Sequence, residues 1–311
     1  MKNFICLIII AALGLACSKE PTIPKDILGG GTLFDASIYK PDLYLVSRAI
    51  PTPTPEQARR PVIIACHGYT ASTLEWDEFR TWSQGRTDFY LSQVLLGGHG
   101  RTYEDFKNST WHDWQASIID EYEKLTKAGF QNITLLGSST SGPLLLYLVA
   151  SRYFTGRTVP RNILLVDPIV IPANKTLSLV DVLGPMLGYT ETEQSADEDK
   201  AFYRFRPQET LRELQSLLTL VRKDLERGVT LPATCVLKVY KAKKDDSADP
   251  VSAVLIYNGT NTADGKRIDL ELIDSDLHVY TRLQGRQPGA TAKDKANQIA
   301  TFTDIVSRVL R

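Results

Sequence analysis

Histidine is scarce in this chain: there are four in 311 residues, at positions 67, 99, 112 and 278. Methionine is rarer still, with two, and the four cysteines include no C-x-x-C pair. A zinc or thiol-redox motif therefore has no footing, and no two histidines stand at metal spacing with a carboxylate. Excess charge is also missing, because 36 basic side chains balance 36 acidic ones. No field draws the protein to nucleic acid. The densest basic run, Lys241-Ala242-Lys243-Lys244, reads as a solvated strand end. Cys66 and Cys235 sit in apolar, strand-like runs and read as buried free thiols, although a disulfide between them would suit an exported protein. The body has no apolar run long enough to span a bilayer.

What is present begins with an address. Met1-Lys2-Asn3 precedes the apolar run Phe4 to Ala16, and small residues lead to Cys17. This order of charge, apolar core and small residues describes a secretory signal peptide over residues 1–16. The stretch Leu13-Gly14-Leu15-Ala16-Cys17 resembles a bacterial lipoprotein signal, with Cys17 as the site of lipid attachment. An ordinary signal peptide that contains a cysteine is the alternative. The resemblance implies export to the cell envelope, and Ser18 after the cysteine implies the outer membrane. Residues 17–35, with two prolines and three consecutive glycines between Ser18 and Gly31, read as a flexible lipidated tether. Membrane contact would be through that anchor only.

From about residue 36 to the end at 311 the chain reads as one domain of alternating strands and helices. Pro61 to Cys66, Phe89 to Leu96, Ile133 to Leu136, Asn162 to Val166, Thr234 to Tyr240 and Lys266 to Ile273 are strand-like. Trp111 to Ala128 has a helical period and stops at Gly129, and a last helix covers Ala292 to Leu310. Such alternation predicts a mostly parallel sheet with helices on both faces, and a site beyond the carboxyl ends of its strands. The alternation lapses between Ile169 and Pro232, which contains no strand-like run. Leu177 to Tyr189 is expected to be helical, Thr190 to Lys200 an exposed acidic loop, and Pro207 to Arg227 a long helix. A stretch of that length exceeds what one crossover requires, so residues of about 170–232 read as a helical cap.

One turn carries the chemistry. In Ile133-Thr134-Leu135-Leu136-Gly137-Ser138-Ser139-Thr140-Ser141-Gly142 a strand runs into small residues, and a helix starts at once. A serine at such a tip is lifted out of the fold beside a helix N-terminus. Among the three serines only Ser139 has a small residue two before and two after it, Gly137 and Ser141. The usual pattern places glycine at the second of these. A serine hydroxyl needs a base, and the base needs an orienting acid. His278 alone among the histidines follows Ser139. After the strand Thr234 to Tyr240 the acid candidates are Asp245, Asp246 and Asp249. Asp249-Pro250 looks like the cap and first turn of a helix, which leaves Asp245 or Asp246, with Lys243 and Lys244 near enough to keep either ionised. The amides of Thr140 and of Tyr69, in His67-Gly68-Tyr69, are the candidate oxyanion donors. His67 reads as a structural residue, His99 as lining the site, and His112 as a surface helix residue.

Taken together, His67-Gly68-Tyr69-Thr70, Gly98-His99-Gly100, Gly137-Ser138-Ser139-Thr140, Asp245 four before Asp249-Pro250-x-Ser252-Ala253, and His278-Val279 resemble the small bacterial carboxylesterases and monoacylglycerol lipases of the α/β-hydrolase superfamily. The resemblance covers residues of about 60 to 280. It implies an α/β-hydrolase fold with a small helical cap, and a catalytic set of Ser139, Asp245 and His278. The implied activity is cleavage of a small-molecule ester or lipid, with no metal and no cofactor. Asp245 rather than Asp246 is implied, because that family's acid stands four residues before the Asn/Asp-Pro pair. Ser141 for glycine, and Lys241 where glycine is frequent, depart from the pattern. An aminopeptidase or thioesterase would use the same triad, and a catalytically silent binding lipoprotein would share the fold.

Overall fold

The computed structural model describes residues 20–31, 40–175, 177, 180, 184, 187–286 and 289–311. The expected signal peptide, Cys17 and the ends of the expected tether lie outside the described residues. Six strands form the central sheet: β1 (Val62–Cys66), β2 (Tyr90–Val94), β3 (Ile133–Ser138), β4 (Asn162–Val166), β5 (Val236–Ala242) and β6 (Asp269–Ile273). Their order is β6-β5-β4-β3-β1-β2 and every pair is parallel. Three of the four inner strands, β1, β3 and β4, are buried at every position, which is why they read as unbroken apolar runs.

Alternate residues of β1 enter two different cores. Val62, Ile64 and Cys66 pack with α1 (Trp111–Ala128), α2 (Ser141–Ala150) and α3 (Gln208–Arg227), through residues such as Trp114, Leu145 and Leu217. Ile63 and Ala65 pack on the opposite face with Trp76, Phe79 and, from α5 (Ala292–Val309), Phe302 and Ile305. The sheet is thus covered on both faces, as the alternation predicts. A capping box of Thr110 and Asp113 starts α1, and Gly129 ends it at φ 105°. Cys66 and Cys235 are free and buried, and burial pushes the Cys235 thiol up to about 12.

The insertion between β4 and β5 departs from its expectation. Tyr189–Glu191 pairs antiparallel with Phe205–Pro207, so the acidic stretch is not a plain exposed loop. Asp199 is buried there, paired with Arg204, and its carbonyl accepts the Leu28 N–H at 2.8 Å. Most of the helix expected over 177–189 lies outside the described residues; the long helix is present as α3. The tether also needs correction over residues 20–31. Ile27 packs with Tyr103 and Phe205, Leu28 with Phe106 and Tyr203, and the Gly29 carbonyl accepts the Tyr103 N–H at 3.1 Å. Two adjacent apolar residues at 27 and 28 are enough to dock what composition alone marks as loose.

Candidate active site

β3 stops at Ser138 and α2 starts at Ser141, so the chain turns within two residues. Ser139 takes the corner at φ 47°, a left-handed conformation that costs a non-glycine residue on the order of 1 kcal/mol. The corner is held because Ser139 N–H donates to the Val166 carbonyl at 3.0 Å, while the Ser139 carbonyl accepts from Gly142 at 3.0 Å and Ile169 at 3.2 Å. A Cβ at Gly137 would lie 2.9 Å from Leu145 Cδ1, and one at Gly142 would lie 2.5 Å from Pro168 Cβ. The intolerant position on the helical side is therefore 142.

The three hydroxyls have different partners. Ser138 Oγ donates to Glu75, with the Cys66 carbonyl also within reach at 3.2 Å. Ser141 Oγ donates to the His67 carbonyl. Ser139 Oγ lies 2.8 Å from His278 Nε2. The structure thus singles out Ser139, and both neighbours are struts.

His278 Nδ1 lies 2.7 Å from Asp245 Oδ2. A carboxylate only accepts, so the Nδ1 proton faces Asp245 and Nε2 presents its lone pair to Ser139. Asp245 Oδ1 accepts the N–H groups of Ser247 at 2.8 Å and Ala248 at 2.9 Å. Asp246 is exposed, and among the described residues it meets the Ser247 hydroxyl, at 3.1 Å. Asp249 Oδ1 accepts the Val251 N–H at 2.9 Å, but the N-cap of α4 (Val251–Gly259) is Pro250, so Asp249 steadies the helix start from one residue further out than its sequence suggests. Of the acid candidates, only Asp245 reaches the histidine.

The cation beside that acid is not the one expected. Lys243 and Lys244 are exposed, whereas Lys241, expected at a solvated strand end, is completely buried. Its Nζ is 3.1 Å from Asp167 Oδ1 and also binds Asp245 Oδ2. Burial works to raise the Asp245 carboxyl, but the hydrogen bond and charge of His278 and the Lys241 ammonium outweigh it and hold the carboxyl below its usual range. For Asp167 burial wins and the carboxyl is raised, with Lys241 opposing. Ligand-type atoms of Asp167, Asp245 and His278 lie within 4.8 Å of one another. The positive charge between the two carboxylates is already Lys241 Nζ, so this arrangement is an ion-pair network rather than a metal centre.

The loop of His67, Gly68 and Tyr69 approaches the serine closely. A Cβ at Gly68 would lie 2.9 Å from Ser139 Cβ, so only glycine fits. His67 Nε2 accepts the Leu96 N–H at 3.1 Å, and Nδ1 donates to the Gly68 carbonyl at 2.9 Å, the structural task expected of it. Glu75 accepts the Gly68 N–H at 2.9 Å. Neither the Tyr69 nor the Thr140 N–H is spent on a backbone acceptor among the described residues. The Tyr69 hydroxyl meets Thr210 Oγ1 at 2.7 Å and ties this loop to α3 of the cap. His99 is fully buried, edge-on to Phe106 at 4.7 Å and Trp114 at 5.4 Å, so it is part of an aromatic core behind the site. His112 is exposed on α1 and stacks on Trp111, as its sequence position suggests.

Four contributors have no local signature in the sequence: Glu75, Asp167, Lys241 and Arg286. Arg286 donates through Nη2 to the carbonyls of His278 and, at 3.1 Å, Val279. Burial first, and Arg282 second, lower its pKa to about 10.

No protein-family model matches the chain. Its sequence is 29% identical over 224 residues to a thermostable monoacylglycerol lipase of Bacillus sp. (strain H-257), covering 70% of this chain and 83% of that protein. It is 27% identical over 228 residues to a carboxylesterase of Bacillus subtilis (strain 168), covering 70% and 85%. Among solved structures, a soluble variant of the monoglyceride lipase of Saccharomyces cerevisiae, in complex with a substrate analog, superimposes with a TM-score of 0.65 at 11% identity, covering 83% of this chain and 88% of that one. At that identity the likeness concerns fold. The architecture is that of an α/β-hydrolase.

Proposed function

We propose that this α/β-hydrolase is a serine-dependent carboxylic ester hydrolase. The observation that carries the reading is the relay from Ser139 Oγ through His278, 2.8 Å on one side and 2.7 Å on the other, to Asp245. His278 Nε2 takes the Ser139 proton as Oγ attacks the ester carbonyl. The resulting imidazolium is stabilised by Asp245 through Nδ1. The N–H groups of Tyr69 and Thr140 receive the oxyanion, at the N-terminus of α2. His278 returns its proton to the departing alcohol and leaves an acyl group on Ser139. Water, deprotonated by the same imidazole, then releases the acid. Every proton in the cycle passes through His278, so no cofactor enters the scheme.

The relatives named as monoacylglycerol lipase and carboxylesterase favour a small-molecule carboxylic ester as the substrate. We also read residues 1–16 as an export signal and Cys17 as the lipid-bearing residue that holds the domain at the outer membrane. Incorporation of a palmitate analogue into the wild type and its loss in Cys17→Ser tests that reading.

A fluorophosphonate probe followed by peptide mapping tests the chemistry. Label on Ser139, absent from Ser139→Ala, is the expected result; label on another serine, or none on folded protein, overturns the assignment. A panel of p-nitrophenyl esters beside aminoacyl amides and thioesters then separates ester cleavage from the other reactions a triad supports. Turnover of amides or thioesters in preference to every ester would overturn the ester reading.

A further inference from the structure

Two carboxylates and one ammonium are shut away together beneath the histidine. Lys241, Asp167 and Asp245 have no exposed side-chain surface, and Lys241 Nζ contacts both acids. The three come from different places. Asp167 follows β4 at φ 45°, Lys241 lies near the end of β5, and Asp245 is in the loop beyond it. Asp167 Oδ1 also accepts the Ala242 N–H at 2.7 Å, and Oδ2 accepts the Tyr280 N–H at 3.3 Å. Asp167 thereby joins two strand ends to the segment that carries His278, two residues before Tyr280. Asp245 needs neither neighbour to be hydrogen-bonded, since Ser247, Ala248 and His278 already supply donors. Burying an extra ion pair is costly, so its presence beside the relay calls for a role.

The charges suggest that role. Asp167 faces three donors, Lys241 Nζ and the N–H groups of Ala242 and Tyr280, which favour its charged form against burial; ionised, Asp167 sums with Asp245 and Lys241 to a single negative charge, which an imidazolium at His278 cancels. Removing Lys241 alone leaves two uncompensated negative charges next to the histidine. Removing Asp167 alone leaves none. Removing both restores the single negative charge of Asp245.

We propose that Lys241 and Asp167 are a paired set of positioning residues that fix Asp245 against His278 and balance the charge against which His278 gains and loses its proton. This inference rests on the reading of Ser139, His278 and Asp245 as the catalytic relay. The other charged groups around the histidine come from separate elements: Arg286 on its carbonyl, Glu75 beneath the serine turn, and the exposed Lys243, Lys244, Asp274 and Asp276. None of them bridges the two buried acids.

The test compares the pH dependence of kcat/KM on p-nitrophenyl butyrate for the wild type, Lys241→Met, Asp167→Asn and the double variant. Loss of the cation is expected to move the acid limb to higher pH, and loss of Asp167 to lower pH, each by about one pH unit. The double variant is expected to return to within a few tenths of a unit of the wild type. Single-variant shifts of the same sign, or no shift in folded protein, overturn the proposal, as does a double variant that keeps the Lys241→Met shift. If Lys241→Met fails to fold, Asp167→Asn and the double variant carry the comparison, with the double expected to reverse the downward shift. A proton NMR titration of the His278 ring, identified by its loss in His278→Gln, needs no substrate. A downward move in Asp167→Asn without ester turnover by the wild type would refute the ester reading alone. Ser139-dependent turnover with an unmoved titration would refute this inference alone.

Discussion

The hydroxyl of Ser141 donates to the carbonyl of His67, so the helix after the corner serine is tied to the loop that faces it across the site. The departure from glycine at this position therefore adds a bond and also fills space. Ser141→Gly is expected to keep catalytic activity within about tenfold. It should lower stability by about 1–2 kcal/mol through loss of a buried hydrogen bond and a glycine in the first turn of a helix. Ser141→Ala, which loses the bond but keeps the Cβ, should recover part of that loss. Chemical denaturation beside initial rates checks both.

The contact of Gly68 with Ser139 gives a sharper prediction. A methyl group at residue 68 would stand 2.9 Å from Ser139 Cβ and must push the serine or its own loop aside. A displacement of this kind at a reacting centre costs roughly a hundredfold in rate. Gly68→Ala is expected to lower kcat by about that factor while retaining the wild-type circular dichroism spectrum.

Asp245 and Asp246 are adjacent in sequence, yet one is buried against His278 and the other faces solvent. Asp245→Asn should reduce kcat by roughly ten-thousandfold, because the amide leaves the imidazole in the wrong tautomer. Asp246→Asn should change it less than twofold. Steady-state rates on one ester decide, and equal losses at both positions would refute the assignment.

His99 governs a different pH range. Burial, aided by the proximity of His67 and opposed by the Gly97 carbonyl, holds its imidazole well below the usual value near 6.5. The folded protein keeps this ring neutral, whereas the unfolded chain takes up the proton below pH 6.5. Stability from this source is therefore present above that pH and is lost as pH falls below it. The loss is about 1.4 kcal/mol per pH unit until the folded ring also protonates. Urea midpoints between pH 7.5 and 5 are expected to fall more steeply for the wild type than for His99→Gln.

Much of this site could be read along the chain, and the reasons are local. Ser139 lies on a strand-turn-helix boundary whose small residues are consecutive, and His278 has no competitor downstream. The choice between Asp245 and Asp246 rests on spacing to the Asp249-Pro250 pair, where the structure starts a helix with Pro250 as N-cap and Asp249 one residue outside it. The burial of Lys241 has no local sign, because burial of a lysine depends on its partner, and Asp167 lies 74 residues away in sequence. Glu75 bonds Ser138 across 63 residues and presents no local pattern either. Such pairs exist only once β1 lies beside β3 and β4 beside β5. The paired strand Tyr189–Glu191 is illegible for a related reason, since three residues become a strand only when Phe205–Pro207 supplies the second edge.

The docking of residues 20–31 limits the leash available to any anchor at Cys17. Glu20 is already fastened to Lys107, and Leu28 to the carbonyl of Asp199 in the cap. The span from residue 17 to residue 20 reaches at most about 11 Å when fully extended. A lipid on Cys17 would then bring the domain to a bilayer by its cap side and within a narrow range of orientations. Lengthening that span with flexible Gly-Ser residues is expected to slow hydrolysis of esters presented in vesicles and leave hydrolysis of soluble esters unchanged. Equal rates on vesicles would mean that such an anchor holds the domain in no preferred pose.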